Sequence, residues 1–102
     1  MLAGIYVYRQ KNSYGETVGH IKIKVSETDK AYLLELLENT TRYDYDQFIR
    51  LFDTSTKARI NKTNHGGTRH AIKVWSDNDF TIYPYQSGIP FWFTRVKLQK
   101  GV

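Results

Sequence analysis

Ser26-Glu27-Thr28-Asp29-Lys30-Ala31-Tyr32-Leu33-Leu34-Glu35-Leu36-Leu37-Glu38-Asn39 is the stretch on which the fold class turns. A hydroxyl at its start can accept from the free amides of a first helical turn, and Glu27 and Asp29 suit the positive end of a helix dipole. Ala31, Leu33, Leu34, Leu36 and Leu37 are helix formers at helical spacing. The run ends at Asn39-Thr40-Thr41, residues that favour caps and turns over helix interiors. A second start follows at Asp44, with Gln47 three residues on at the capping-box spacing and Phe48, Ile49, Leu51 and Phe52 as an apolar stripe. Read this way, the middle of the chain is two short helices meeting in a tight corner.

Outward from that pair the pattern changes period. Toward the N-terminus, Gly4 to Gln10 and Thr17 to Val25 alternate apolar and polar residues around a polar turn at Lys11 to Glu16, which predicts a β-hairpin. Toward the C-terminus three more strand-like runs appear, Arg69 to Ser76, Phe80 to Tyr85 and Phe91 to Gln99. The gaps Asp77-Asn78-Asp79 and Gln86-Ser87-Gly88-Ile89-Pro90 between them carry turn residues. Thr54 to Thr68 admits two readings. Either the second helix runs on and loosens, or Lys57 to Lys62 is a short strand turning at Asn64-His65-Gly66-Gly67. The expected fold is therefore α+β: an antiparallel sheet of about five strands, in the order β-β-α-α-β-β-β, with the two helices packed on one face.

A length of 102 residues fits a single domain spanning 1–102, and 40% apolar residues with 15% aromatics are enough for a buried core. Cooperative folding with a stability of about 5 to 10 kcal/mol is expected of such a chain. The absence of cysteine excludes disulfides, cysteine-based zinc sites and thiol nucleophiles, and favours a reducing compartment. Met1 to Ile5 is too short and uncharged for a signal peptide, and no apolar run reaches the length of a membrane span. The chain reads as cytoplasmic.

The net charge is +5, and its placement is uneven. Residues 27 to 53 hold seven acids and three bases, a balance of −4, whereas the remainder holds twelve bases and three acids, a balance of +9. Such asymmetry points to one surface suited to an anion and another that is not.

If each strand's aliphatic parity faces the core, the inner residues are Ile5, Val7, Ile21, Ile23, Val25, Ile72, Val74, Phe80, Ile82, Trp92, Val96 and Leu98. The opposite parity then mixes rings and cations on an open face: Tyr6, Tyr8, His20, Lys22, Lys24, Lys73, Trp75, Tyr83, Tyr85, Phe91, Phe93, Arg95 and Lys97. Rings that stack bases beside cations that hold phosphates suit single-stranded nucleic acid. The run Lys57, Arg59, Lys62, His65, Gly66, Gly67, Arg69 and His70 adds a second anion-binding candidate, because paired glycines let backbone amides turn toward a phosphate. It lacks the contiguous Gly-Lys-Ser/Thr of a nucleotide-binding loop. The expected nucleic-acid contacts are Tyr6, Tyr8, Lys22, Lys24, Lys57, Arg59, Lys62, Arg69, Lys73, Trp75, Arg95 and Lys97. Against this stands a plainer account: aromatic residues are good strand formers, and lysine on an open sheet guards against aggregation.

Two further readings belong to other classes. The acidic helical pair, with Glu27, Asp29, Tyr32, Glu35, Tyr43, Asp44, Tyr45 and Asp46, offers a surface for a basic partner, as an inhibitor or adaptor of a protein of nucleic-acid metabolism would need. His65 and His70 beside Arg69 are the ingredients of ribonuclease-like acid-base chemistry, but no carboxylate stands at a telling spacing, so an enzyme is not expected. Three scattered histidines make no zinc site, and no cofactor is implied.

Overall fold

In the computed structural model, which describes residues 3–41, 52, 56–63, 70–83 and 90–96, the segment Ala31–Asn39 is a strand. The described residues form seven strands: β1 (Gly4–Lys11), β2 (Thr17–Glu27), β3 (Ala31–Asn39), β4 (Lys57–Asn61), β5 (Ala71–Ser76), β6 (Asp79–Tyr83) and β7 (Phe91–Arg95). They form one sheet in the order β4-β3-β2-β1-β7-β6-β5, with every neighbouring pair antiparallel.

The α+β expectation, with five strands and two helices, is overturned: the described residues contain no helix, and the first expected helix is β3. The cause is non-local. Leucine's helix preference over a β-branched residue is a fraction of a kcal/mol, whereas β3 has a partner strand on each side. Tyr32, Leu34 and Leu36 stand opposite Glu27, Val25 and Ile23 of β2, so the sheet period selects them as the inward set. The apparent helical spacing comes from an irregularity. Lys22 pairs with Glu38 while Ile23 pairs with Leu36, so Leu37 is left over as a bulge residue and is 45% exposed. The expected N-cap is a turn built from the same chemistry, because the Thr28 hydroxyl accepts from the amides of Lys30 (3.2 Å) and Ala31 (3.1 Å). The second expected helix, Asp44 to Phe52, lies outside the described residues except for Phe52, which is buried in the core. Of the two readings of Thr54 to Thr68, the strand over Lys57–Asn61 is the one present.

The β1–β2 hairpin forms as expected, closed by the Asn12 side chain accepting from the amides of Tyr14 (2.9 Å) and Glu16 (3.0 Å) and by Gly15 at φ 81°. With seven strands and only antiparallel pairs, β4 and β5 must run in the same direction. The sheet curls until these two edges approach each other, yet they share no ladder, which leaves an open seam in an incompletely closed barrel.

Inside the curl lies the core: Tyr6, Ile21, Ile23, Val25, Leu34, Phe52, Ile60, Phe80, Ile82, Phe91 and Phe93. The parity read from sequence holds for β2, β5 and β6 and is reversed for β1 and β7. Tyr6 pairs with Ile23 and Phe93 with Phe80, and antiparallel partners share a face, so these rings point inward. Large rings fill the concave interior better than Ile5 and Val7. Tyr6 packs edge-on to Phe80 at 4.8 Å, Phe80 stacks with Phe93 at 5.4 Å, and Tyr8 meets Phe91 at 5.1 Å. Ile5 and Trp92 accordingly face outward.

Candidate functional site

The outer, convex face carries the arrangement with most chemical content. Between Val74 and Ser76 the β5–β6 register shifts, and Trp75 is the extra residue. It lies beside Trp92 of β7, their ring centroids 6.2 Å apart and their planes tilted by 36°. Both are exposed, at 49% and 58%. Their ring nitrogens are nevertheless satisfied: Trp75 Nε1 donates to Thr81 Oγ1 at 2.8 Å and Trp92 Nε1 to Asp79 Oδ2 at 3.3 Å. Thr81 sits between them because it pairs with Trp92 on one side and Lys73 on the other. The Lys73 ammonium lies 4.6 Å from the centre of the Trp75 ring.

The same face continues across β7 and β1 to β2, β3 and β4. Thr94 pairs with Val7, and Val7 with Lys22; Ile5 pairs with Lys24, Lys24 with Glu35, and Glu35 with Lys57. Arg9 is exposed on that face, two residues along β1 from Val7, as Trp92 is two residues along β7 from Thr94. Arg9, Lys22, Lys24, Lys57, Arg59 and Lys73 therefore share one side of the sheet with Glu35, Glu38 and Asp79. Part of this charge is internally paired, since Glu38 accepts from His20 at 2.8 Å and lies 3.8 Å from Lys22.

Of the residues expected to contact nucleic acid, Lys22, Lys24, Lys57, Arg59, Lys73 and Trp75 are brought to this face. Tyr6 and Tyr8 are not, because their rings belong to the interior. Arg95 is also on the inner side, opposite Tyr6, with its Nε buried and unpartnered. Gly4 makes room for it, since a Cβ there would come within 2.9 Å of that Nε. Lys62 follows β4 in a turn, where it pairs with Glu27 at 2.7 Å and lies over the Tyr32 ring. That bond holds the Glu27 carboxyl below its ordinary range and the Lys62 ammonium above its own. Arg69 and Lys97 lie outside the described residues.

The described residues of the expected acidic helical surface do not share a face. Glu27 is engaged by Lys62, Asp29 is in the β2–β3 turn, Tyr32 is half-buried on the inner side, and Glu35 stands among cations on the outer side. Tyr43, Asp44, Tyr45 and Asp46 lie outside the described residues, as do His65 and Arg69 of the ribonuclease-like set. Trp92 and Arg9 are the outer-face residues that sequence reasoning missed. Phe91-Trp92-Phe93 has a ring at each parity, so alternation alone assigns no side; the polar Thr94, on the parity of Trp92, is the one local clue.

Among the described residues no group of three histidine, aspartate or glutamate side chains is placed to hold a metal, and no helix is long and apolar enough to cross a membrane. No protein family, curated protein or solved structure matches this chain, so its site stands on its own geometry.

Proposed function

We propose that the chain binds single-stranded nucleic acid through its outer sheet face, with Trp75 and Trp92 stacking bases and Arg9, Lys22, Lys24 and Lys73 meeting phosphates. The observation that carries the reading is the position of the tryptophans: the chain has two, and both are half exposed, side by side and rimmed by cations. An indole left in water forgoes burial, and here each is also held in place by its own N–H bond. Rings fixed in orientation offer their faces at low entropic cost, which favours a flat, sequence-tolerant partner such as a base. A cysteine-free composition suits work in the cytoplasm.

Anisotropy of a labelled oligothymidylate at several salt concentrations tests this. Four phosphate contacts give a log-log salt slope of about −3 on a single strand. Trp75→Ala and Trp92→Ala should each weaken binding by about 1 to 3 kcal/mol. Lys22→Glu combined with Lys24→Glu should flatten the slope by about two contacts' worth, roughly 1.4. Absence of binding at low salt, or indifference to both tryptophan substitutions, contradicts the proposal.

A further inference from the structure

We propose that the open edge of β4 takes up an extended acidic peptide as an additional strand. The hydrogen-bond phase of the β3–β4 ladder is fixed at its two ends, where Leu36 N–H donates to the Thr56 carbonyl (2.7 Å) and Lys62 N–H to the Lys30 carbonyl (2.8 Å). Residues of even number in β4 therefore turn their backbone groups toward β3, and the amides and carbonyls of Arg59 and Asn61 face the other way. Among the described residues they have no strand partner, since β4 ends the sheet. Exposed, unpaired main-chain groups of this kind are a template for another strand.

The chemistry around that edge selects the strand. On the outer face over β2, β3 and β4, reaching to that edge, lies a groove of about 530 Å³ whose lining includes Lys24, Leu33, Glu35, Lys57 and Arg59: three cations, one carboxylate and an apolar floor. A second copy of β4 is opposed, because antiparallel pairing of the edge with itself brings the Lys57 and Arg59 charges of two chains together. The other edge, β5, is interrupted by the Trp75 bulge, a device that discourages pairing. Because side chains alternate across a strand, the fitting occupant has acids on the parity that faces Lys57 and Arg59, and apolar residues on the parity that faces Ala58 and Ile60. Full insertion between β4 and β5 needs two interstrand spacings, roughly 9.5 Å, so the peptide widens the seam as it enters.

The probe is a fluorescein-labelled heptapeptide of alternating glutamate and valine, titrated by polarisation against the intact chain, with amide exchange followed by NMR. Saturable binding is expected, with the Arg59 and Asn61 amides newly protected. Arg59→Pro, which removes an edge-facing N–H outside the β3 ladder, should weaken binding at least about tenfold. In case that variant fails to fold, the unaltered chain is also titrated with the peptide N-methylated at alternate amides, on the parity that would face β4, which should lose affinity to the same extent. Equal binding of the methylated peptide, or of a lysine-valine peptide, overturns the proposal. So does displacement by oligothymidylate without protection at Arg59 and Asn61, which would make the groove part of the nucleic-acid surface. Dimerisation of the free chain that Arg59→Pro abolishes overturns it too, by assigning the edge to a second copy.

Discussion

The Tyr6 ring is wholly buried within the curl while its hydroxyl donates to the Asp77 carbonyl at 3.1 Å, so one side chain joins the core to the β5–β6 turn. Tyr6→Ala should cost about 3 to 5 kcal/mol in a denaturant titration, as other large core truncations do. Tyr6→Phe, which removes only the hydroxyl, should cost about 1 kcal/mol. Burial, the largest influence on this phenol, raises its pKa above the ordinary 10.0. The folded state thus resists ionisation that the unfolded chain accepts: the contribution of Tyr6 is whole below pH 10 and is lost as pH climbs through the raised value. Glu27 behaves oppositely. Its carboxyl is held below 4.5 by the Lys62 bond, so its contribution is whole above that value and fades as pH falls through the lowered one. Thermal unfolding between pH 9 and 11 should therefore weaken less in Tyr6→Phe than in the parent, and Lys62→Met should flatten the acid limb and also the loss above pH 10.5, where the raised Lys62 ammonium gives up its proton. At this scale the sequence was partly legible: Lys22, Lys24, Lys73 and Trp75 stand where alternation puts them. Tyr6 and Trp92 do not, because aliphatic residues and rings compete for the interior and a curled sheet needs the larger volume inside.

In β3 the contest between propensity and pairing has a measurable signature. A helix over residues 31–39 would bury Leu33 and Leu37 along one stripe, whereas both are exposed in the strand and Leu34 is buried. Leu34→Ala should cost about 2 to 5 kcal/mol, and Leu33→Ala and Leu37→Ala each less than about 1 kcal/mol, measured by chemical denaturation. Comparable losses at all three positions would contradict the strand. The hairpin strands β1 and β2 and the β5–β6 pair were legible because their alternation is clean and their turns are local. β3 was not, since its leucines carry helical preference, the bulge at Leu37 breaks the two-residue period, and its stabilising partners lie in other strands. β4 was only an alternative, because its single strongly apolar residue, Ile60, sets no period of its own.

At the scale of the molecule, an odd number of antiparallel strands leaves β4 and β5 as parallel edges at a seam, and the curl turns one face into a core and the other into a convex surface where Trp75, Trp92, Arg9 and Lys24 are exposed while Val7 and Thr81 are buried. Among the described residues the charge asymmetry along the chain does not become two opposed surfaces. Glu35 and Glu38 are folded in among the cations of the outer face, and Glu27 is bridged to Lys62. What carries over from sequence is a sheet face bearing Lys22, Lys24, Lys73 and Trp75; what alternation did not supply was which rings and which arginine that face keeps. The two tryptophans make this testable without substitution, because tryptophan emission from the chain arises only from the candidate site. Oligothymidylate added at low salt should change that emission saturably, with the midpoint rising steeply as salt is added. Oligonucleotide binding that leaves the emission untouched, or no binding at all, would contradict the account.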